Sequence, residues 1–464
     1  MMRSMFSVVS GLKSHQTKMD VIGNNIANVN TIGFKGGRVT FKEIFSETVK
    51  GSSAPDASSG RGGTNPMQVG LGIEISSVDT NMTRGTVQRT DTITDLSIEG
   101  EGFFVVKASA SEPHRFTRAG NFSVDKMGNL VNGMGMSVCG WHEYKVSENG
   151  NTYEYNTINQ LEPINIYTDQ YNLNKRLISA KETTGAEFAG NLSADSVPVP
   201  EIERSVDNAH YITPITVYSP IGKEYKVNLC FWRSDSVQYT VTEGGENVEK
   251  IATNWHWKAV SDIENADALD IPSAEGDIMF GDKGEMLLSD PTGTIAEYTA
   301  VPQISIDSGV ESGSKPFEVN LDFTKLNMYA TSSSVKMVSR DGYPAGSMTS
   351  YTIGQDGIIV GIYSNGQQQP LAMIGLASFD NPSGLAKSGS NLFEPTANSG
   401  EFIRGLQPGT EGVGNLNPGT LEMSNVDMAQ EFIDMIVTQR GFQANSRIIT
   451  ASDEMLQEMV NLKR

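Results

Sequence analysis

Residues 5–29, MFSVVSGLKSHQTKMDVIGNNIANV, and residues 428–460, MAQEFIDMIVTQRGFQANSRIITASDEMLQEMV, decide how this chain is built. In the first, Met5, Val8, Leu12, His15, Met19, Ile22, Ile26 and Val29 recur at three- and four-residue steps, with His15 the sole polar member. In the second, Met428, Phe432, Met435, Gln439, Phe442, Ser446, Ile449, Asp453, Leu456 and Val460 do the same less purely. A further stripe of Ile433, Ile436, Ala444, Ile448, Met455 and Met459 widens that apolar face. A sustained 3.5-residue period predicts long helices that pack along their length against other helices, as in a coiled coil. At about 1.5 Å per residue they would run on the order of 40 and 50 Å, too long for one small domain. Spacing alone also fits helices that each lay one face on a core. Methionine-rich seams suit contacts that repack, which favours self-assembly.

The second helix has a marked start. Ser424 with Asp427, or Asp427 with Gln430, has capping-box spacing, in which side-chain oxygens meet the first free N–H groups. Lys463 and Arg464 are favourable charges at its other end.

With 464 residues the chain should form about three domains. It carries 35 Lys and Arg against 55 Asp and Glu, but residues 1–50 hold seven bases and three acids, so the acidity belongs to the middle. An acidic middle keeps an outward surface soluble and argues against nucleic acid as a partner. No run reaches the roughly 18 apolar residues needed to cross a membrane. The N-terminus lacks a compact apolar core and a cleavage site, so no signal peptide is expected. Two cysteines, Cys139 and Cys230, are too few for a disulfide framework.

Residues 51–66, GSSAPDASSGRGGTNP, are small or turn-forming and cannot build a core alone; Gly405 to Gly419, GLQPGTEGVGNLNPG, mirrors them on the far side. Between them the chain reads as β-rich. GEGFFVVKA (100–108) and HRFTRAGNFSVD (114–125) are strand material, and Tyr225, Val227, Leu229 and Phe231 alternate with Lys226, Asn228 and Cys230. Ser236–Thr242 is expected as the pairing strand, and Trp255, His256 and Trp257 alternate again. Residues 349–367 read as hairpins turning at Gln355-Asp-Gly and Ser364-Asn-Gly. No helix of comparable strength is expected between about 70 and 420.

Catalytic and metal-binding signatures are missing. Five scattered histidines form no HExxH, the cysteines no CxxC, and there is no nucleophile elbow, Walker loop or EF-hand loop. Neither enzyme activity nor a cofactor or metal is expected. The tryptophans flanking His256 could form a sugar platform, but alternate tryptophans on a strand more often face a core.

The string Gly23-Asn24-Asn25-Ile26-Ala27-Asn28-Val29-Asn30-Thr31-Ile32-Gly33-Phe34-Lys35 resembles the N-terminal signature of the bacterial flagellar axial proteins, the rod, hook and hook-associated family. GEGFFVV (100–106), FTRAGNFSVDKMGNLV (116–131), Cys139-Gly140-Trp141, YTIGQDGIIVGIYSNGQ, residues 376–400 and residues 421–456 are similar to that family in the same order. About 200 residues, roughly 143–341, separate its two halves, which resembles the hook branch rather than the shorter rod proteins.

The resemblance implies a multidomain, nested fold in which the two ends of the chain pair. Residues 1–30 and 424–464 would form a coiled-coil domain, and 31–72 with 405–423 a linker. Residues 73–142 with 342–404 would form a β-rich inner body, and 143–341 a variable outer β domain, barrel- or sandwich-like. It implies a hollow, bendable tube of identical subunits that passes torque from motor and rod to filament. Its expected neighbours are other copies, the rod, a hook cap during assembly and a hook–filament junction protein. The type III export apparatus would carry the chain to an extracellular place on the flagellum without cleavage. Some spirochaete members of the family join subunits through a cysteine and a lysine; here Gly190 stands where that cysteine is expected, and the link is not carried over.

Overall fold

A computed structural model describes residues 2–55, 62–109, 111–146, 153–171, 173–243, 246–261, 274–288, 301–306, 314–410 and 412–462. Both periodic segments are helices: α1, Met2–Ala27, and α2, Met428–Leu462. α1 stops two residues short of Val29. The Asn28 N–H donates to Asn24 O at 3.2 Å and the chain then turns, because the Asn/Gly-rich run offers side-chain alternatives to the helix ladder. For α2 the cap is Asp427, whose Oδ1 accepts from the N–H groups of Ala429 (2.9 Å) and Gln430 (3.3 Å). Gln430 does not reach back to close a box; its side chain donates to Asp434 Oδ2 at 3.2 Å. The charges at Lys463 and Arg464 lie outside the described residues.

Residues 37–80 form a two-stranded ribbon rather than a wholly loose linker. β1, Gly37–Glu43, pairs antiparallel with β4, Ile73–Thr80, and β2, Ser46–Lys50, pairs with β3, Met67–Gly70. A bridge from Ser53 to Thr64 continues the pairing into the Gly/Ser-rich stretch, of which residues 56–61 lie outside the described set. Backbone ladder bonds hold the ribbon where side chains cannot; Phe45, Val49 and Met67 on it are exposed.

The chain divides into two compact units. One comprises residues 1–175, 351–361 and 368–464; the other 176–350 and 362–367. In the first, strands from the two halves of the chain interleave. Leu96–Glu99 pairs with Asn415–Pro418, Val87–Arg89 with Thr420–Glu422, and Phe103 and Phe104 with Ala377 and Leu376. Its core gathers Phe103, Phe116, Trp141, Met373, Phe379 and Phe393 from both halves. Such pairing cannot form from either half alone, so the two ends of the chain share one body.

The second unit is two four-stranded sheets closing on one core. One runs Gln303–Ile306, Phe317–Tyr329, Gly185–Ser193, Lys336–Arg340; the other runs Tyr211–Tyr218, Glu224–Glu243, Glu246–Ser261, Glu275–Phe280. Trp255 and Trp257 are buried in that core, while His256 faces the other way and meets Asp277 at 3.1 Å. Ser236–Thr242 is not a separate partner strand. It continues Glu224–Glu243 past a bulge after Arg233, and the partner is Glu246–Ser261. Alternation breaks at the bulge, which made one strand read as two. Cys230 is buried beside Leu229 and Phe231, so the strand is covered on both faces there. Burial pushes its thiol up to about 11 and that of Cys139 to about 12, and neither is paired.

Among the described residues only short 3-10 turns interrupt the strands between the two helices. Among the described residues no helix is long and apolar enough to cross a membrane.

Candidate assembly surface

α1 and α2 pack against each other, with small and polar side chains interleaved among some of those the periodicity singles out. Of α1's apolar stripe, Val8 and Ile22 are buried, at 7% and 4% exposure, and Met5, Leu12, Met19 and Ile26 are half-buried. Val29, beyond the helix, is half-buried in the turn. On α2 only Met435, Ile449 and Leu456 of the predicted seam are half-buried; Met428, Phe432, Phe442 and Val460 are exposed.

Several of the residues at the helix–helix seam are small or polar. Thr438 and Ser452 are the two buried residues of α2, and Ser14 is buried on α1. A methyl group on Gly11 would stand 2.8 Å from Asn445 Nδ2, and one on Gly441 would stand 3.0 Å from the His15 ring. Gly441 thus makes room for the imidazole, which also meets Phe41 edge-on at 5.8 Å. Burial, and then nearby Lys18, lower the His15 pKa, so the seam favours neutral histidine. Lys18 Nζ reaches Asp434 at 3.4 Å, and Asn25 Nδ2 donates to Glu431 at 3.0 Å. The signal for this seam is a 3-4-7 run of small or polar residues, Thr438, Gly441, Asn445 and Ser452, which a search for apolar stripes passes over.

The outward side of α2 is therefore apolar. Ile433, Ile436, Val437, Ile448, Met455 and Met459 are each 44–60% exposed, with Phe432 at 46% and Val460 at 66%. Single exposed apolar residues are ordinary, but a contiguous face of this length marks an interaction surface.

The Asn/Gly string roots α1 in the body. Asn25 is buried and imitates a strand neighbour: its Oδ1 accepts from Gly37 N at 2.9 Å and its Nδ2 donates to Gly37 O at 2.8 Å. Asn28 Nδ2 donates to Asn24 O at 2.9 Å, and Thr31 Oγ1 to Asn28 Oδ1 at 3.0 Å. Gly23, Asn24 and Ala27 are exposed. Gly33 has φ +68°, and a Cβ there would lie 2.6 Å from Ala119 N, so glycine is required on two counts. Phe34 is buried under the Lys387 ammonium, 5.0 Å from the ring centroid.

Lys35 is buried with Nζ 2.6 Å from Glu422 Oε1 and 2.8 Å from Thr83 O. Arg118 meets the other oxygen, Glu422 Oε2, at 3.3 Å and donates to Gly100 O at 2.9 Å. Burial lowers the pKa of both cations, an effect Glu422 opposes. Glu422 and Arg118 carry no sequence mark of this role; each lies hundreds or tens of residues from its partner.

A second buried cluster joins Lys175 to Asp169, with His142 Nδ1 3.4 Å from Lys175 Nζ and Leu371 O accepting from that ammonium at 2.6 Å. It fastens strands of the body. Among the described residues no group of three or more His, Cys, Asp or Glu is placed to hold a metal.

Four family models match along the chain. Residues 7–35 match "Flagella basal body rod protein", 97–175 "Flagellar hook protein FlgE/F/G D1 domain", 191–343 "Flagellar basal body protein FlaE D2 domain", and 417–462 "Flagellar basal body rod FlgEFG protein C-terminal". The flagellar hook protein FlgE of Borreliella burgdorferi is 39% identical, with all of both chains covered. That of Treponema pallidum is 36% identical with the same full coverage, and that of Escherichia coli 31% with 98% of each chain covered.

Proposed function

Since this chain belongs to the flagellar hook protein family, we propose that the outward face of α2 is where its subunits join. The protein is a structural subunit of the hook and not an enzyme. The observation that carries the proposal is an apolar helix face left open in a chain whose other helix packs against the opposite face. Neighbouring copies would cover Phe432, Ile436 and Val460, and the paired helices would then form a bundle with coiled-coil character, lining the tube. An apolar contact rich in methionine can shift its packing while staying closed, which suits a tube that bends as it turns.

Within this reading the chain has four regions. The helices are the first, the ribbon with residues 405–423 the connector, the interleaved strands the inner body, and the sandwich the outer domain. Polar contacts between outer domains would exchange with small barriers as one side of a bent tube shortens. The rod, the hook cap, the junction protein and the type III export apparatus are its proposed partners, and the outside of the cell its proposed location. A small, polar intramolecular seam supports passage of an unfolded chain, since little holds the helices together before assembly.

The test is electron microscopy of isolated basal bodies from a strain whose only copy carries Ile433→Asp and Ile436→Asp. Complete rods with no hook support the proposal, provided the purified variant keeps the helix content of the parent by circular dichroism. Hooks of normal length would overturn it.

A further inference from the structure

Two buried cations sharing one carboxylate, each from a different part of the chain, serve no purpose that the assembly surface requires. Glu422 accepts from Lys35 Nζ and from the Gly85 N–H, at 3.0 Å, with one oxygen, and from Arg118 with the other. Its backbone carbonyl accepts from the Gly33 N–H at 2.8 Å. Lys35, Arg118 and Glu422 side chains are 1%, 5% and 1% exposed. Apart from Glu422, the acceptors on the two cations are Thr83 O and Gly100 O, and Arg118 Nε is buried without a partner. Arg84 adds a third positive charge nearby, while the charge of Glu101 favours the cationic form of Arg118.

We propose that Glu422 is a completion latch, which fixes the root of α1 only once the C-terminal segment has docked. Without that carboxylate, the N-terminal half would have to bury two like charges with only carbonyl oxygens as direct acceptors. A buried cation without its counter-charge is far less stable than the pair, so the site stays open and hydrated. Docking brings one residue that satisfies two cations and two backbone N–H groups at once. The same step seats Thr420–Glu422 on Val87–Arg89 and sets Asn425, which accepts from Gly36 N at 2.9 Å, against the turn. Both helices are thereby rooted together, and a chain whose C-terminal segment has not arrived holds the root of α1 by the Asn25–Gly37 pair without the Glu422 contacts. The latch concerns the single chain and holds whether or not α2 is the joining face.

The test is hydrogen exchange on the full-length monomer. Glu422→Gln should raise exchange at residues 33–36, 81–86 and 420–426 at least tenfold while strand 137–141 keeps its protection. Ile98→Ala, in the adjoining strand pair, is the control for general destabilisation. Glu422→Asp, which keeps the charge and shortens its reach, should be intermediate and serves alone if Glu422→Gln does not fold. Adding Lys35→Met to Glu422→Gln should recover protection by removing an unpaired cation. Exchange unchanged in Glu422→Gln, a uniform rise matching Ile98→Ala, or strictly additive effects of the two substitutions would each overturn the latch.

Discussion

The sandwich of 176–350 and the helix α2 treat their apolar residues in opposite ways. In the sandwich the inward side chains of both sheets are consumed: Phe231, Trp255, Trp257, Phe280 and Phe323 are all at 0–1% exposure. In α2, 35 residues long, the buried side chains are Thr438 and Ser452, while Ile433, Ile436, Ile448, Met455 and Met459 face out and Met435 and Ile449 are half-buried. The first region completes its hydrophobic burial within one chain. The second does not, because one partner helix covers one stripe, whose fully buried members are Thr438 and Ser452. On the proposed reading, the hook subunit uses both, a finished body to carry and an unfinished helix to join with.

Substitutions can break this contrast from either side. Trp257→Ala should cost the sandwich about 3–5 kcal/mol, as expected for emptying a fully buried aromatic site. Urea unfolding followed by tryptophan fluorescence would read it, and a loss below about 1 kcal/mol would mean that this core is not closed as described. Gly441→Leu should separate α1 from α2 at His15 and cost about 1–3 kcal/mol by overpacking. The check is melting of the helical circular dichroism signal, and an unchanged melt would place the seam elsewhere.

Asp427→Ala should remove the cap of α2 at about 1 kcal/mol, read as fraying of residues 428–431 by hydrogen exchange. Ile436→Ser should change monomer stability by no more than about 0.5 kcal/mol, since the side chain is 57% exposed. It should nevertheless raise the concentration at which subunits polymerise, measured by sedimentation. A monomer destabilised as much as Trp257→Ala would show that the outward face is already covered within the chain.

Much of this was legible in the residues. Both helices, the alternation of Tyr225 to Phe231, the core tryptophans and the turns near Asp356 and Asn365 follow from local periodicity and turn chemistry. The hairpin turns close as expected, with the Gly357 N–H on Gly354 O at 3.1 Å and the Gly366 N–H on Tyr363 O at 3.0 Å. Val29 was misplaced because apolar spacing runs on past the asparagines that end the helix. Ser236–Thr242 was misread because a bulge looks like a break when no partner is visible. Within the loosely composed residues 51–66, Ser53 pairs with Thr64 through backbone groups that composition does not report.

Sequence alone determined which residues are apolar at helical spacing, and so that two long helices exist and that some surface must cover them. It determined the Asn/Gly run at the root of α1. Only the tertiary structure decided which face of α2 meets α1, because an apolar stripe states a need for cover without naming the partner. It alone brought Lys35, Arg118 and Glu422 together, because charges separated by up to 387 residues have no periodicity that points from one to another.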